Sequence, residues 1–411
     1  MNAVNTTADL AIAQQITKLA SLRVVHAAFS WLQLQENELR KTQIEVASIP
    51  APPFGEAARG AWLRQKFSSM GLEDVEIDQV GNVIATWPGS NSELPVVALS
   101  AHLDTVFPVE TEISIQDDRD RIYGPGISDN AAGITALIAI AGALRQGGIR
   151  CASDVVFIGN VGEEGEGDLR GMRHIFQNSA WGNRIGYTVV LDGSGTDAII
   201  CQALGSLRFE VTVRGPGGHS WSDFGQPNPI VALARIVSRF SQTPLPAQPK
   251  TTFNFGVING GTSVNSIPEM AHVSIDLRSV SSDELQRLED ELKGVIQTEI
   301  PTTGRAGAPP KLTCEVKKIG DRPAGELAPD AHILEIVRSV DAHLNIASQS
   351  RRASTDANIP IAMGLEALTL GAGGNGGGAH TLREWFDPAG RSLGLKRILF
   401  TVLALAGVQQ S

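Results

Sequence analysis

Five short polar clusters each close an apolar run in this chain: VVALSAHLDTVFP, YGPGISDNAAG, VVFIGNVGEEGEGDLRG, YTVVLDGSG and LTLGAGGNGGGAHTLREWFD. Apolar runs this short, bounded by glycine and separated by helix-like stretches, read as buried strands of an α/β sheet. Such sheets gather their functional residues in the crevice beyond the carboxyl ends of the strands. The pattern therefore predicts a helix-flanked sheet with its polar side chains collected at one edge.

The rest of the chain fits that frame. At 411 residues it is long enough for two or three domains. The start is helical up to about residue 34, and residues 54–70 form another helix, entered through Pro50, Pro52 and Pro53. Strand-like runs at 75–78, 82–87, 96–101, 155–160 and 187–191 alternate with helices at 130–144 and 169–177. The pattern changes near Leu204. Residues 207–214 alternate as a half-exposed strand. A helix at 229–241, strands at 253–258 and 270–277, a helix at 282–298 capped by Ser281 or Ser282, and a strand at 311–317 follow. This β-α-β-β-α-β order predicts a ferredoxin-like α+β domain. The expected organisation is an α/β domain built from residues 1–203 and 320–411, with residues 204–319 inserted in it.

Composition removes several function classes. With 34 basic against 44 acidic residues the net charge is −10, which argues against nucleic-acid binding. Cys151, Cys201 and Cys314 stand far apart, so no disulfide framework is expected and a reducing compartment is the simple reading. The longest apolar run, 131–144, is shorter than the roughly 20 residues that span a bilayer. No secretory signal is visible in the opening residues. A cytoplasmic protein with no membrane partner is the expectation.

His102 and Asp104 are two residues apart on an extended chain, so they face one side, and a carboxylate there can hold the second nitrogen of a ligating imidazole. Asp129 follows a glycine-rich turn and opens an apolar helix, a position that suits either a helix cap or a bridging carboxylate. Glu163 and Glu164 point in different directions, so one can ligate a metal while the other faces substrate as a base; Glu166 and Asp168 suit a solvated role. Asp192 and His380 close the last two clusters. Gly371, Gly373 and Gly376 fit GxGxxG, but no helix is signalled behind them and no acidic residue lies about 20 positions on, so dinucleotide binding is rejected. The glycines suggest instead a close backbone approach to a ligand. Two histidines and several carboxylates, without sulfur, suit zinc, or cobalt or manganese. Two histidines cannot fill two tetrahedral sites, so a carboxylate shared between two metals is the economical arrangement.

Together HLDTV, GISDNAAG, GEEGEG, LDG and GGAHT resemble the two-zinc peptidases that include peptidase T, acetylornithine deacetylase, succinyl-diaminopimelate desuccinylase, aminoacylase and glutamate carboxypeptidase. The resemblance implies a catalytic domain with a central mixed sheet flanked by helices, and an inserted lid or dimerisation domain. It implies two Zn2+ per subunit, one on His102, Asp129 and Asp192 and one on Asp129, Glu164 and His380. It makes Glu163 the general base on a metal-bridging water and Asp104 the group that orients His102. The Asp129–Asn130 peptide is cis in this family. GPGGHS matches His219 to an oxyanion-stabilising histidine that reaches the partner subunit's site, and GGTSVNSIP and IDLRS match Asn265 and Arg278 to residues that grip substrate. A homodimer formed through the lid and a short peptide substrate follow from the same resemblance. His26, His174, His272, His332 and His343 have no matching context and read as structural. Asp192 and the STDAN segment at 354–358 resemble peptidase T relatives, which points to an aminopeptidase or tripeptidase. The alternative is a deacylase or carboxypeptidase acting on N-acyl amino acids, which would use the same metal chemistry.

Overall fold

The computed structural model describes residues 7–300 and 312–409. It divides into two compact units, one combining Met1–Ala203 with Glu326–Ser411, the other Leu204–Gly325.

The first unit is built on a mixed sheet. Seven of its nine strands lie in the order Glu73–Ile77, Val83–Trp87, Val155–Asn160, Val96–His102, Ile185–Leu191, Glu366–Leu370 and Ala198–Ala203. The four strands from Val155–Asn160 to Glu366–Leu370 are mutually parallel, and their neighbours on either side run antiparallel. Every residue of Val96–His102 and Val155–Asn160 is buried, as expected where helices cover both faces of a sheet. Alternation divides the side chains between the faces. Val97, Leu99, Ala101, Val155 and Phe157 join the core that includes Leu137 and Ile140 of the helix Ala131–Gly147. Val96, Ala98, Val156 and Ile158 pack with Met172, Ile175 and Phe176 of the helix Arg170–Asn178.

Helical structure at the start of the chain extends further than the sequence reading placed it. Three helices, Thr7–Ala20, Arg23–Leu34 and Glu36–Ala47, run in succession, and the third was not anticipated. ENELRKTQIEVA has few apolar residues, but Leu39, Gln43 and Val46 fall on one face and are buried. Tertiary packing decides this helix, because its hydrophobic periodicity is weak. Any helical start before Thr7 lies outside the described residues.

The second unit has a four-stranded antiparallel sheet in the order Thr251–Gly260, Met270–Ser279, Gly205–Arg214 and Thr313–Arg322. Two helices pack on its apolar face. Pro229–Phe240 is capped by Asn228, whose side chain accepts from Ile230 and Val231. Ser282–Glu299 is capped by Ser281, which accepts from Glu284. Leu207, Phe209, Val211 and Val213 alternate into that core. Order and pairing match the ferredoxin-like arrangement. Position 320, expected to open the return to the first domain, lies inside the strand Thr313–Arg322, whose pairing with Gly205–Arg214 continues to Arg322. Lys311, expected in that strand, lies outside the described residues.

Candidate metal centre

His102 is the last residue of its strand and is fully buried. Its Nδ1 lies 3.0 Å from the Asp104 carbonyl oxygen, which can only accept, so Nδ1 carries a proton. The Asp104 carboxylate is 3.7 Å away; its oxygens instead accept the backbone N–H groups of Glu163, at 3.0 Å, and Glu164, at 2.7 Å. The expected orienter thus holds the imidazole chiefly through its carbonyl, and its carboxylate fixes the loop that carries both glutamates.

His102 Nε2 faces Asp129 Oδ1 at 3.1 Å and Asp192 Oδ1 at 3.7 Å. The other oxygen of Asp129 lies 3.1 Å from His380 Nε2, which is 2.9 Å from Glu164 Oε1. Two triads result, His102–Asp129–Asp192 and Asp129–Glu164–His380, and within each the donor atoms lie within 4.8 Å of one another. Glu163 is buried beside them but belongs to neither.

The electrostatics follow from this crowding. Burial disfavours a charged His102, but the carboxylates of Asp104, Asp129 and Asp192 outweigh it and raise its pKa well above the ordinary histidine value. Asp129 and His380 hydrogen-bond, as do Glu164 and His380, and these contacts push His380 up to about 10 against its partial burial. Asp129 is held well below the carboxylate range: burial works against its charge, and the two imidazoles prevail. In the metal-free protein, protons on the imidazoles offset the carboxylates. Nitrogen and oxygen donors converging in two sets with a shared carboxylate suit a pair of divalent zinc-like cations in the same place.

The local chain explains why Asp129 is available. The cap of the helix Ala131–Gly147 is Asn130, which corrects the capping alternative for Asp129. Asn130 Oδ1 accepts from Gly133 and Gly193, and its Nδ2 donates to Leu191 O at 2.8 Å. The Asp129–Asn130 peptide is cis. Of the blander acidic residues, Glu166 is exposed and Asp168 pairs with Arg173 at 3.4 Å. Within the glycine run, Gly371 packs closely against protein backbone. A Cβ on Gly371 would stand 2.4 Å from Ser194 O and 2.6 Å from Gly195 O.

Several contributors escaped the sequence reading. Glu384 is wholly buried and accepts three backbone N–H groups from the turn before Asn130; burial pushes it up to about 7. Gln43, in the unanticipated helix, donates to Ile127 O at 2.6 Å in the same turn. Arg59, also fully buried, donates to Leu103 O at 2.7 Å. Asp356 of the STDAN segment is buried and accepts from Asn160 Nδ2 at 2.6 Å. The available signal was a charged or amide residue set among buried apolar neighbours, which single-sequence patterning does not distinguish from an exposed one.

In the second unit, His219 and Asn265 meet. Gly218–His219 pairs with Ser266–Ile267, and Ser220 N–H donates to Asn265 O at 3.0 Å. His219 Nδ1 accepts the N–H groups of Trp221 at 3.1 Å and Ser222 at 3.4 Å, so in the neutral ring the proton sits on Nε2. Both residues are exposed. Arg278 is not brought to them: it sits near the opposite end of the strand Met270–Ser279 from Met270 and pairs with Asp276 at 2.7 Å.

Residues 98–402 match the family described as Peptidase family M20/M25/M40. The chain belongs to this family. It is accordingly a metal-dependent hydrolase of the peptidase class. Among curated relatives, the uncharacterized protein YqjE of Bacillus subtilis is 23% identical over 357 residues, covering 83% of this chain and 91% of that protein. A probable carboxypeptidase of Aspergillus terreus is 29% identical over 210 residues, about half of each chain (48% and 47%). Among solved structures, a tripeptidase from Staphylococcus aureus superposes with a TM-score of 0.73 at 20% identity, covering 90% of this chain and 98% of that one. The aminopeptidase PepT from Bacillus cereus gives 0.71 at 20% identity with the same coverages, 90% and 98%. At such identities these two likenesses establish the M20 fold. Among the described residues no helix is long and apolar enough to cross a membrane.

Proposed function

We propose that this chain is a two-metal aminopeptidase or tripeptidase that removes the first residue of short peptides. The observation that carries the reading is Asp129, whose two oxygens face two imidazoles that each meet a further carboxylate. His102, Asp129 and Asp192 would hold one zinc and Asp129, Glu164 and His380 a second, and cobalt or manganese could use the same donors. When bound, such metals supply Lewis acidity and lower the pKa of water toward about 7.

The chain's own residues do the rest. Glu163, whose N–H is fixed by Asp104, takes the proton from the attacking water and returns it to the leaving amine. Glu164 is engaged with His380, so the adjacent carboxylates keep separate tasks. Asp104 steadies both glutamates and His102. His219 donates from Nε2 to the developing oxyanion, because its Nδ1 is occupied as an acceptor. Asn265 meets polar groups of the substrate and Arg278 its carboxylate. His219 serves the site of a partner subunit, so the working form is a homodimer joined through the lid, residues 204–319 of the sequence reading. The protein acts in the cytoplasm on soluble peptides.

A deacylase or carboxypeptidase reading draws on the Aspergillus terreus relative, a probable carboxypeptidase. End-resolved hydrolysis of free, N-acetylated and C-amidated tripeptides, with a chelated control, separates the two. Release of the first residue only from peptides with a free amino terminus is the expected result. Preference for N-acetylated substrates would overturn the aminopeptidase reading and leave the metal site standing.

A further inference from the structure

The turn that delivers Asp129 is fastened from inside by one side chain. Glu384 Oε1 accepts the N–H groups of Ser128 and Asp129, both at 2.7 Å, and Oε2 accepts that of Gly126 at 2.9 Å. Its own carbonyl accepts Gly124 N–H at 2.9 Å. The next residues continue the attachment, with Trp385 paired to Tyr123 and Phe386 to Ile122. Glu384 is wholly buried and lies on the segment that also carries His380.

We propose that Glu384 is a positioning residue for the two-metal site, acting through Asp129 and His380. The inference rests on the reading of those two residues as metal ligands. Asp129 is held from both sides of its Cα. Its N–H is bound to Glu384, and the following residue, Asn130, is clamped to Leu191, Gly193 and Gly133. Only the side-chain torsions of Asp129 remain free, and each oxygen falls opposite a different imidazole. Three converging N–H groups need two acceptor oxygens. A carboxylate supplies both; a carboxamide supplies one and turns an NH2 toward a backbone N–H. Since His380 and Glu384 share a short segment, the same bonds tie the Asp129 turn to the turn that brings the second imidazole. A shared ligand has to satisfy two cations at once, so small errors in its placement weaken both sites together.

Cobalt binding by equilibrium dialysis, with the visible spectrum of the bound ion, tests this on the full chain as wild type, Glu384→Gln and Asp129→Asn. The wild type is expected to take up two Co2+, and Asp129→Asn to lose uptake at both positions. Glu384→Gln is expected to bind Co2+ about 10–100-fold more weakly with an altered spectrum, as partners behind metal ligands typically do. Amide exchange at Ser128 and Asp129 in its metal-free form should quicken. If Glu384→Gln does not fold, Glu384→Asp, which keeps both oxygens one methylene short, is read the same way. Uptake of two Co2+ by the wild type with unchanged affinity and spectrum in a folded Glu384 variant would overturn the proposal alone. A wild type that takes up fewer than two, or an Asp129→Asn variant that binds like wild type, would overturn the metal reading and this proposal with it.

Discussion

The carboxylate of Asp104 accepts the backbone N–H of Glu163 at 3.0 Å, with both groups buried. A second oxygen of the same carboxylate accepts from Glu164. The residue expected only to support His102 therefore also sets the direction in which both glutamates leave the chain. Asp104→Asn keeps the volume but turns one acceptor into a donor facing an N–H. A loss of about 10–100-fold in kcat/KM is expected, with the metal-free fold retained by circular dichroism. Activity equal to wild type would show that the loop holds its shape without this carboxylate.

Glu163 stands outside both donor triads. Glu163→Gln should keep the wild-type metal content and lose about 10²–10⁴-fold in kcat, the usual contribution of a positioned general base. Metal analysis beside steady-state kinetics checks it. A large loss of bound metal in this variant would make Glu163 a ligand.

The metal-free protein should respond to pH through His380. Its folded pKa of about 10 lies above the ordinary histidine value of about 6.5, so between these values the folded state binds more protons than the unfolded chain. The resulting stabilisation is fully present below about 6.5 and is lost as pH rises through about 10. The Tm of the chelated protein should therefore fall over that interval more steeply than that of His380→Gln. Metal uptake near neutral pH should release protons, because ligating imidazoles must be deprotonated. Parallel Tm curves for the two proteins would contradict the assignment of that proton to His380.

Gly371→Ala should destabilise the first unit without touching a donor atom. The new Cβ would meet the carbonyl oxygens of Ser194 and Gly195 at 2.4 and 2.6 Å, and neither belongs to a flexible side chain. A cost of about 1–3 kcal/mol is expected from overpacking, read from urea unfolding. An unchanged midpoint would mean that the segment after Asp192 moves aside freely.

Much of the donor set was legible in the chain. His102, Glu164 and Asp192 close or follow apolar strands, and strand ends in such a sheet converge; Asp129 opens an apolar helix and His380 follows the glycine run. The two-residue spacing of His102 and Asp104 located a support for the imidazole, although the carbonyl makes the nearer contact. The division between α/β and ferredoxin-like regions was legible from the switch to alternating residues at Leu207. The helix Glu36–Ala47 was not, because its buried face includes a glutamine and most of its remaining residues are polar. Arg278 matched a motif in the chain, but nothing in the sequence said that it would stand apart from His219 and Asn265 within its own unit.

The sequence by itself determined which atoms can bind metal, since that follows from residue type and local pattern. Only the tertiary structure decided how those atoms are aimed. Asn130 takes the helix cap and leaves Asp129 free, Asp104 turns its carboxylate to two backbone N–H groups far along the chain, and Glu384 closes a turn that precedes it by more than half the chain. Each is a buried polar group whose partners are brought together by folding. No period or spacing encodes such a partner, and burial without one would be costly.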